Sequence, residues 1–578
     1  MTWYILNTHR HRLEREALES LASTVSWLTP IGWRIDDRLR LIWDADVTAG
    51  ENVFSICMRY PNHFPFSPPL VLPRDSREWW SSHQYGAGGE LCLEYGPDNW
   101  HPDLTGADMV QSAYRLFEGE RLSTEEQISV PTRHASTLGQ ELRNKFSRFL
   151  MTRAFSEVLS RIPDGVLLSA QVVSLLNEET YVAIVSSLVL PDGVTWADEI
   201  PKLANFGFER PAALFRWPID AALPSTESLT AFRASTAERN LDLPDCTGAI
   251  VVQGTTIHYY WFATASDSAN KASVIHQPQF SPRLDISHAD LAARKVAMVG
   301  CGSLGSKLAV ILARSGLRKF FLVDDDIFFP DNLVRHELDW RDVGTHKVDS
   351  VASKIKLVAP DAVCERRRHR LGGQEASGSL ESVIEAIGDC DLIVDATANP
   401  SVFNYLCAAV AVSNKPLVWG EVFAGGYGGL VARHRPSLDP SPASMRRIIE
   451  NWCAEQGRPI ERAANDYEGG GDAPHIADDA DVSAIAAPAA RMAIDLLIPR
   501  NPSLFPHSVY FIGLAKGWIF EQPFETHPID VGPPESVDPG SRLNPTEHEA
   551  EIERILKLFN EHKNAATSDT QGDETTSA

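Results

Sequence analysis

The chain has 578 residues, 43% of them hydrophobic and 22% charged, with a net charge of −24; it is too long for one core, and about three globular domains are expected. That negative balance, with no basic run against it, disfavours nucleic acid and anionic membranes as partners, and no stretch stays apolar for the roughly 20 residues a bilayer crossing needs. Eight cysteines without a CxxC pair argue against a disulfide framework and a tetrathiolate zinc site, and a start that turns acidic and helical instead of apolar points to a cytoplasmic location.

In chain order, "RHRLEREALESLASTVSW" fits a helix, and "RLRLIWDADV" and "ENVFSICMRYP" alternate as paired strands around the turn-forming "TAGEN". A proline-stiffened "PNHFPFSPPLVLP" follows. Helices are predicted at "ADMVQSAYRLFEGE" and across "GQELRNKFSRFLMTRAFSEVLS" (139–160), so residues 1–155 read as an α+β module. Within it, "GELCLEYGPDNW" sets Cys92 between two leucines, just after glycines and eight residues before Trp100.

Residues 160–275 hold strand-like runs such as "TYVAIVSSLVL", "GAIVVQG" and "TIHYYWFAT" between proline-rich loops, a β-rich spacer or docking domain without evident chemistry. From 280 to 525 the pattern becomes strand, glycine turn, helix, strand, as in a doubly wound α/β sheet of Rossmann-like type. Residues 526–578 allow one helix and a disordered tail.

Gly300, Gly302 and Gly305 form GxGxxG directly after a strand and before a helix, where backbone amides and the helix N-terminus attract phosphate. Alone, this reads as a dinucleotide site, and an NAD-dependent oxidoreductase is the default. Asp324, Asp326, Asn332, Arg335 and Lys347 then follow within about 25 residues. Hydride transfer needs none of that charge, whereas binding a triphosphate and expelling pyrophosphate needs cations on the phosphates and acids for ribose and magnesium.

In this order and spacing the motif resembles the MoeB/ThiF and ubiquitin-activating adenylation family. The resemblance implies ATP and Mg2+, with Asp324 on the ribose hydroxyls, Arg335 and Lys347 on the phosphates, Asn332 positioning them and Asp326 near the metal. Two departures stand out. Where the family writes DxTDN, "VDATANP" has Asp395 and then Ala398 in the metal acid's place, so either Asp395 takes over the metal or Asp326 holds it alone. The zinc cysteines of MoeB/ThiF relatives are missing, so no zinc is expected. Arg283 is either a surface arginine or the arginine that relatives often carry here to reach the nucleotide across a dimer interface, and the resemblance implies a homodimer through this domain.

An acyl-adenylate is a mixed anhydride suited to attack by a thiolate, and Cys92 is the candidate. "MRYPNHFPFSPPLVLP…HQYGAGGELCLEYGPDNWHP" resembles a ubiquitin-conjugating enzyme, although the usual HPN triplet reads His83, Gln84, Tyr85, leaving oxyanion stabilisation to backbone amides, Gln84 or another side chain. Adenylating domains of such systems often own a further cysteine before the late helix, but Ala473 stands where one is sought. Either Cys453 serves from a flexible loop, or that nucleophile has been replaced, or Cys92 takes the acyl group directly from the adenylate.

A conjugating module ahead of an adenylating module resembles the bacterial ubiquitin-like conjugation fusions, including those of CBASS antiphage operons. That resemblance implies a ubiquitin-like protein or the C-terminus of a CD-NTase as acyl donor and an unidentified amine as acceptor. The alternatives are a MoeB/ThiF-type sulfur-carrier activating enzyme, an NAD-dependent oxidoreductase, and a non-enzymatic scaffold of two degenerate folds.

Overall fold

The structure, a computed structural model, describes residues 2–81, 83–121, 138–143, 145–205, 207–278, 283–371, 377–423, 426–457, 477–498, 500–535 and 544–569. The chain divides into two compact units, Met1–Phe146 and Ser147–Ala578. Among the described residues no helix is long and apolar enough to cross a membrane.

In the first unit, helices α1 (Trp3–Leu6) and α2 (Thr8–Thr24) precede four strands, β1 (Leu28–Ile35), β2 (Leu41–Ala49), β3 (Asn52–Arg59) and β4 (Leu70–Pro73), with α3 (Gly106–Arg121) and α4 (Leu138–Leu142) after them. The strands form an antiparallel meander in sequence order. Leu18 and Leu21 of α2, Trp43 and Met58 of the sheet, and Val110, Ala113 and Phe117 of α3 share one core.

At its centre is a carboxylate. Glu14, fully buried, pairs with Arg10 at 2.7 Å, accepts the Tyr60 hydroxyl at 2.8 Å and accepts the Gly106 amide at 2.7 Å. Burial is the largest influence on its pKa and raises it, against those donors. Arg10 also donates to the carbonyls of Pro102 and Leu104, and the Trp100 indole donates to Pro65 at 2.7 Å. These bonds fix both ends of the irregular segment that carries Cys92.

The second unit begins with β5 (Ser147–Met151), where the sequence predicts unbroken helix over 139–160. Helix resumes only at α5 (Arg153–Leu159). The cause is tertiary: β5 is parallel to β12 (Ser268–His276) on one side and to β7 (Thr180–Val189) on the other, and two ladders outweigh a weak local preference for helix. The remaining elements of this region are β6 (Leu167–Asn177), β8 (Thr195–Ala197), α6 (Ile200–Leu203), β9 (Glu209–Trp217), α7 (Leu229–Ala237), β10 (Gly248–Gln253) and β11 (Thr256–Ala263). The order β5-β12-β11-β10-β9-β6-β7 returns to β5, so seven strands close on themselves while β8 pairs only with β7.

Next comes a sheet ordered β15-β14-β13-β16-β17-β18-β19-β20. Its strands are β13 (Lys295–Val299), β14 (Lys319–Val323), β15 (Val363–Arg367), β16 (Leu392–Asp395), β17 (Leu417–Val422), β18 (Gly428–His434), β19 (Val509–Gly513) and β20 (Thr526–Ile529). β15 to β17 are parallel and the rest antiparallel. Because β20 belongs to this sheet, the domain runs past residue 525. Val296 and Met298 face a core shared with α8 (Ser303–Ser315), α9 (Lys347–Val358) and α13 (Asp479–Leu497). Ala297 and Val299 face the opposite core, with α10 (Ser377–Gly388), α11 (Pro400–Ser413) and α12 (Pro442–Glu455). Burial on both faces explains the unbroken apolar runs of these strands. Order reverses at β13, and a crevice is expected at the carboxyl ends of β13, β14 and β16. The final helix is α14 (Pro545–Asp569), and residues 570–578 lie outside the described residues.

Glu14→Ala would leave the buried Arg10 guanidinium without its counter-charge and the Tyr60 hydroxyl and Gly106 amide without their acceptor, a loss of about 3–5 kcal/mol to the first unit. Hydrogen-exchange mass spectrometry of the full chain should show amides of α2 and α3 losing protection, while those of α8 and α13 keep theirs.

Candidate functional site

The glycine turn sits at that reversal. Gly300 has φ +88°, and a Cβ there would meet Thr397 Cγ2 at 2.8 Å. A Cβ on Gly305 would lie 1.9 Å from the Gly300 carbonyl oxygen, so α8 packs against the turn only because no side chain intervenes. Gly302 differs: among the described residues, nothing beyond its chain neighbours lies within 4 Å of its Cβ position. The space in front of Gly302, at the N-terminus of α8, is open, as a phosphate cradle requires.

Asp324, at the end of β14, closes one side. Its carboxylate accepts the Cys301 amide at 2.6 Å and the Asp326 amide at 2.8 Å. Burial raises its pKa, and those two bonds oppose the rise. Lys347, first residue of α9, reaches back to Asp326 with Nζ at 2.9 Å and donates its amide to the Asp326 carbonyl at 2.9 Å. Carboxylate oxygens of Asp324, Asp325 and Asp326 lie within 4.8 Å of one another, a donor set suited to a hard divalent cation. Asp325 was passed over in a D-x-D reading of "DDD".

Asn332 caps the turn Pro330–Val334, its side-chain oxygen accepting the Phe329 amide at 3.0 Å and its carbonyl the Arg335 amide at 3.2 Å, so it fixes the backbone from which Arg335 projects. The Arg335 guanidinium reaches the Ala477 carbonyl at 3.4 Å, just ahead of α13. His336, next in sequence and not singled out by sequence reasoning, is buried against the glycine turn. Its Nε2 lies 2.8 Å from the Cys301 carbonyl, and its Nδ1 accepts the Leu338 amide at 3.2 Å. These partners require the neutral Nε2–H tautomer. Burial pushes its pKa down to about 4, with Lys347 and Lys307 adding to the effect. Arg283 is exposed on the approach to β13.

Asp395 stands apart from the acid cluster and does not share its ion-binding geometry. Its carboxylate is turned toward the opposite core, lining a pocket with Phe403, Trp419 and Arg446, and accepts both the amide and the hydroxyl of Thr397, at 2.9 and 2.6 Å. Burial raises its pKa to about 6. These are the features of a turn-closing carboxyl, and of the two acids offered for the metal it is Asp326 that lies in the cluster.

In the first unit, Cys92 lies on a short antiparallel bridge. Gln84 opposes Leu91, the Tyr85 amide donates to Glu90 at 3.0 Å and the Cys92 amide to His83 at 2.7 Å. Side chains alternate across such a pair. Gln84 and Leu91 therefore face inward, and His83, Tyr85, Glu90 and Cys92 share the other face. Leu91 and Leu93 join the apolar core; Cys92, only 6% exposed, does not. Burial raises the pKa of its thiol, a hydrogen bond from Tyr85 opposes the rise, and Glu90 adds to it. The Gln84 amide is consumed locally: its oxygen accepts the Trp80 amide at 2.9 Å and its nitrogen donates to Glu78 at 3.0 Å. It is not available to an oxyanion, contrary to one sequence-based option.

Cys453 is no displayed nucleophile. It is fully buried on α12 among Met445 and Ile449, and burial pushes its pKa to about 12. Its spacing of four from Ile449 and eight from Met445 in "SMRRIIENWC" was the available signal of a core stripe. Ala473, where a further cysteine was sought, lies outside the described residues.

Residues 279–451 match the model of the ThiF family. The chain is similar to y4qC of Sinorhizobium fredii, 31% identical over 36% of this chain and 38% of that protein. It is similar to the ATP-dependent ubiquitin transferase-like protein Cap2 of Pseudomonas aeruginosa, 33% identical over 20% of each chain. With adenylyltransferase and sulfurtransferase uba4 of Aspergillus fumigatus it shares 34% identity over 22% of this chain and 25% of that one. The chain thus spans well under half the length of these curated relatives. Among solved structures, E. coli MccB with ATP is similar at 16% identity and a TM-score of 0.34, over 44% of this chain and 68% of that one.

Two expectations follow from this geometry. Gly302→Ala should leave the thermal midpoint within about 1 °C, since among the described residues its methyl meets nothing beyond its chain neighbours, yet weaken ATP binding at least tenfold by calorimetry; Gly305→Ala should instead lower the midpoint outright. His336 is held neutral in the folded state, whereas the unfolded chain protonates it near pH 6.5, so its contribution to stability is present above that value and declines as pH falls toward about 4. Asp395, whose folded pKa is raised, acts with the opposite sign over the same range. The comparison is therefore between wild type and His336→Gln: denaturant melts from pH 7 to pH 5 should show wild type losing about 1–2 kcal/mol more than the variant.

Proposed function

We propose that this chain activates a protein's C-terminal carboxylate with ATP, receives the acyl group as a thioester on Cys92 and conjugates it to an amine. The observation that carries the reading is the open space before Gly302, bordered by Asp324 and Lys347 at the reversal of a doubly wound sheet, in a chain that also sets Cys92 on one face with His83 and Tyr85.

In the first step the carboxylate oxygen bonds to the α-phosphorus and pyrophosphate leaves. Arg335 and Lys347 neutralise the phosphates, Gly302 lets them approach the α8 amides, and Asp324 accepts the ribose hydroxyls. Asp324, Asp325 and Asp326 would hold Mg2+, which supplies charge neutralisation on the phosphate oxygens. In the second step the Cys92 thiolate bonds to the acyl carbon and AMP leaves. In the third an amine displaces the thiolate, giving an amide and regenerating the thiol.

A ubiquitin-conjugating character of the first unit is supported by the four-stranded meander, the Trp100–Pro65 hydrogen bond and the bridge that sets Cys92 on one face with His83 and Tyr85. The acyl donor is a ubiquitin-like protein or the C-terminus of a CD-NTase in antiphage defence, and Arg283 completes the nucleotide site across a homodimer. A sulfur-carrier activating enzyme would use the same adenylation residues but gives Cys92 and its neighbours no task. Hydride transfer with NAD would leave Arg335 and Lys347 idle.

Incubation with ATP, Mg2+ and candidate C-terminal peptides should give pyrophosphate exchange, reduced at least 100-fold in Lys347→Met and unchanged in Cys92→Ala. Intact mass spectrometry without reductant should find an acyl adduct that Cys92→Ala abolishes. Absence of exchange across a full panel of peptides would favour a scaffold of degenerate folds.

A further inference from the structure

The bridge that carries Cys92 points to a residue with a part in the chemistry that the family resemblance does not supply. In the ubiquitin-conjugating enzymes that this unit resembles, an asparagine follows the histidine and proline before the cysteine; here that place holds Tyr85. Three candidate donors are already committed. The Gln84 amide is tied to Trp80 and Glu78, the Cys92 backbone N–H to the His83 carbonyl, and the Tyr85 backbone N–H to the Glu90 carbonyl.

The Tyr85 side chain is different. The pairing of Gln84 with Leu91 puts Tyr85 on the same face as Cys92, one step diagonally across the bridge, a separation that aromatic side chains span. Its side chain interacts with the Cys92 thiol and opposes the rise that burial gives the thiol's pKa, while the residue as a whole remains 63% exposed. A phenol of a solvent-exposed residue is thus placed beside the sulfur. The backbone turn secures that placement: the Gly89 amide donates to the Gly86 carbonyl at 3.0 Å, and a Cβ on Gly89 would lie 1.9 Å from the Tyr85 carbonyl oxygen.

We propose that Tyr85 is a catalytic residue of the conjugation step, its hydroxyl donating to the thioester oxygen as negative charge develops there. This rests on the reading of Cys92 as the acyl carrier. When the amine nitrogen bonds to the acyl carbon, the carbonyl oxygen becomes an oxyanion. The C–S bond then breaks, the amide carbonyl re-forms, and the departing thiolate takes the proton that the amine gives up. Until the C–S bond breaks, oxygen and sulfur are bonded to the same carbon, so a hydroxyl that reaches the sulfur reaches the oxyanion with a small side-chain rotation. A donor aimed at the developing charge is the largest single aid to acyl transfer that one side chain gives.

The test uses the full chain without nucleotide. A short peptide thioester ending in glycine loads Cys92 by thiol exchange, hydroxylamine discharges it, and intact mass spectrometry follows both steps, with Cys92→Ala as the control. Tyr85→Phe should load within a fewfold of wild type, keep its thermal midpoint and discharge about 100-fold more slowly. In parallel, iodoacetamide alkylation of the Cys92 peptide at pH 8 should slow in Tyr85→Phe, which loses a donor to the thiolate, and speed up in Glu90→Gln, which loses a repelling charge. A purely structural disturbance would not give opposite signs.

Discharge of Tyr85→Phe at the wild-type rate overturns the proposal while leaving the acyl-carrier reading intact, as does a loss seen only in His83→Gln. Failure of the wild-type Cys92 to load at all removes the acyl-carrier reading, and the role of Tyr85 with it.

Discussion

The second unit's chemistry depends on one close approach. A Cβ at residue 305 would sit almost on the carbonyl oxygen of Gly300, so the first turn of α8 can lean on the end of β13 only with glycine there. From that contact follow the direction of the α8 N-terminus, the exposure of the space before Gly302 and the reach of the Cys301 amide to Asp324. His336 then ties the downstream segment to the Cys301 carbonyl, which places Arg335 and, through the next loop, Lys347. A phosphate site is built here by backbone geometry first and by charge second. Cations brought to a turn of a different shape would find no donors beside them.

The first unit solves a related problem with a buried charge. Its reactive segment has almost no regular structure, so it must be anchored at its edges. Glu14 and Arg10 hold the far side near residues 102–106, Trp100 holds the proline segment, and Leu91 donates its amide to Val71 at the edge of the sheet. An uncompensated carboxylate at the centre of this core would be costly; satisfied by three partners it becomes a specific lock. The thiol between these anchors is protonated at rest by its burial. Such a thiol needs neighbours that favour its charged form only during reaction, and the exposed phenol beside it suits that demand better than a permanent cation would.

Much of this was legible in sequence because it is local. GxGxxG after an apolar run, the acids at the end of the next strand, and Asn332 through Lys347 at their spacing all lie within 50 residues, and the structure brings them to one end of the sheet. What was not legible is non-local or turns on one atom's direction. "NKFSRFLM" reads as helix until β7 and β12 offer it two edges, and the closure of seven strands is written in no single segment. Gln84 looks like a spare donor until the chain folds Trp80 and Glu78 around its amide. Asp395 carries the right charge at the end of the right strand, but alternation along β16 turns it to the other face, where Thr397 claims it.

That last turn explains how the domain accommodates its most marked departure from the family it resembles. Ala398, in the place of the usual metal acid, has φ +51°, a conformation that costs an alanine about 1 kcal/mol and that Asp or Asn adopts more readily. The backbone nonetheless keeps this shape, because Asp395 holds the Thr397 amide and hydroxyl, and Asn399 caps α11 by accepting the amides of Ser401 and Val402. The loop geometry is therefore set by residues 395, 397 and 399, independently of what residue 398 carries. An acid at that position can be absent without disturbing the turn against which Gly300 packs, provided that another carboxylate faces the same crevice. The run Asp324–Asp326 holds one acid more than a D-x-D pattern, and it stands across the glycine turn from the position left without one.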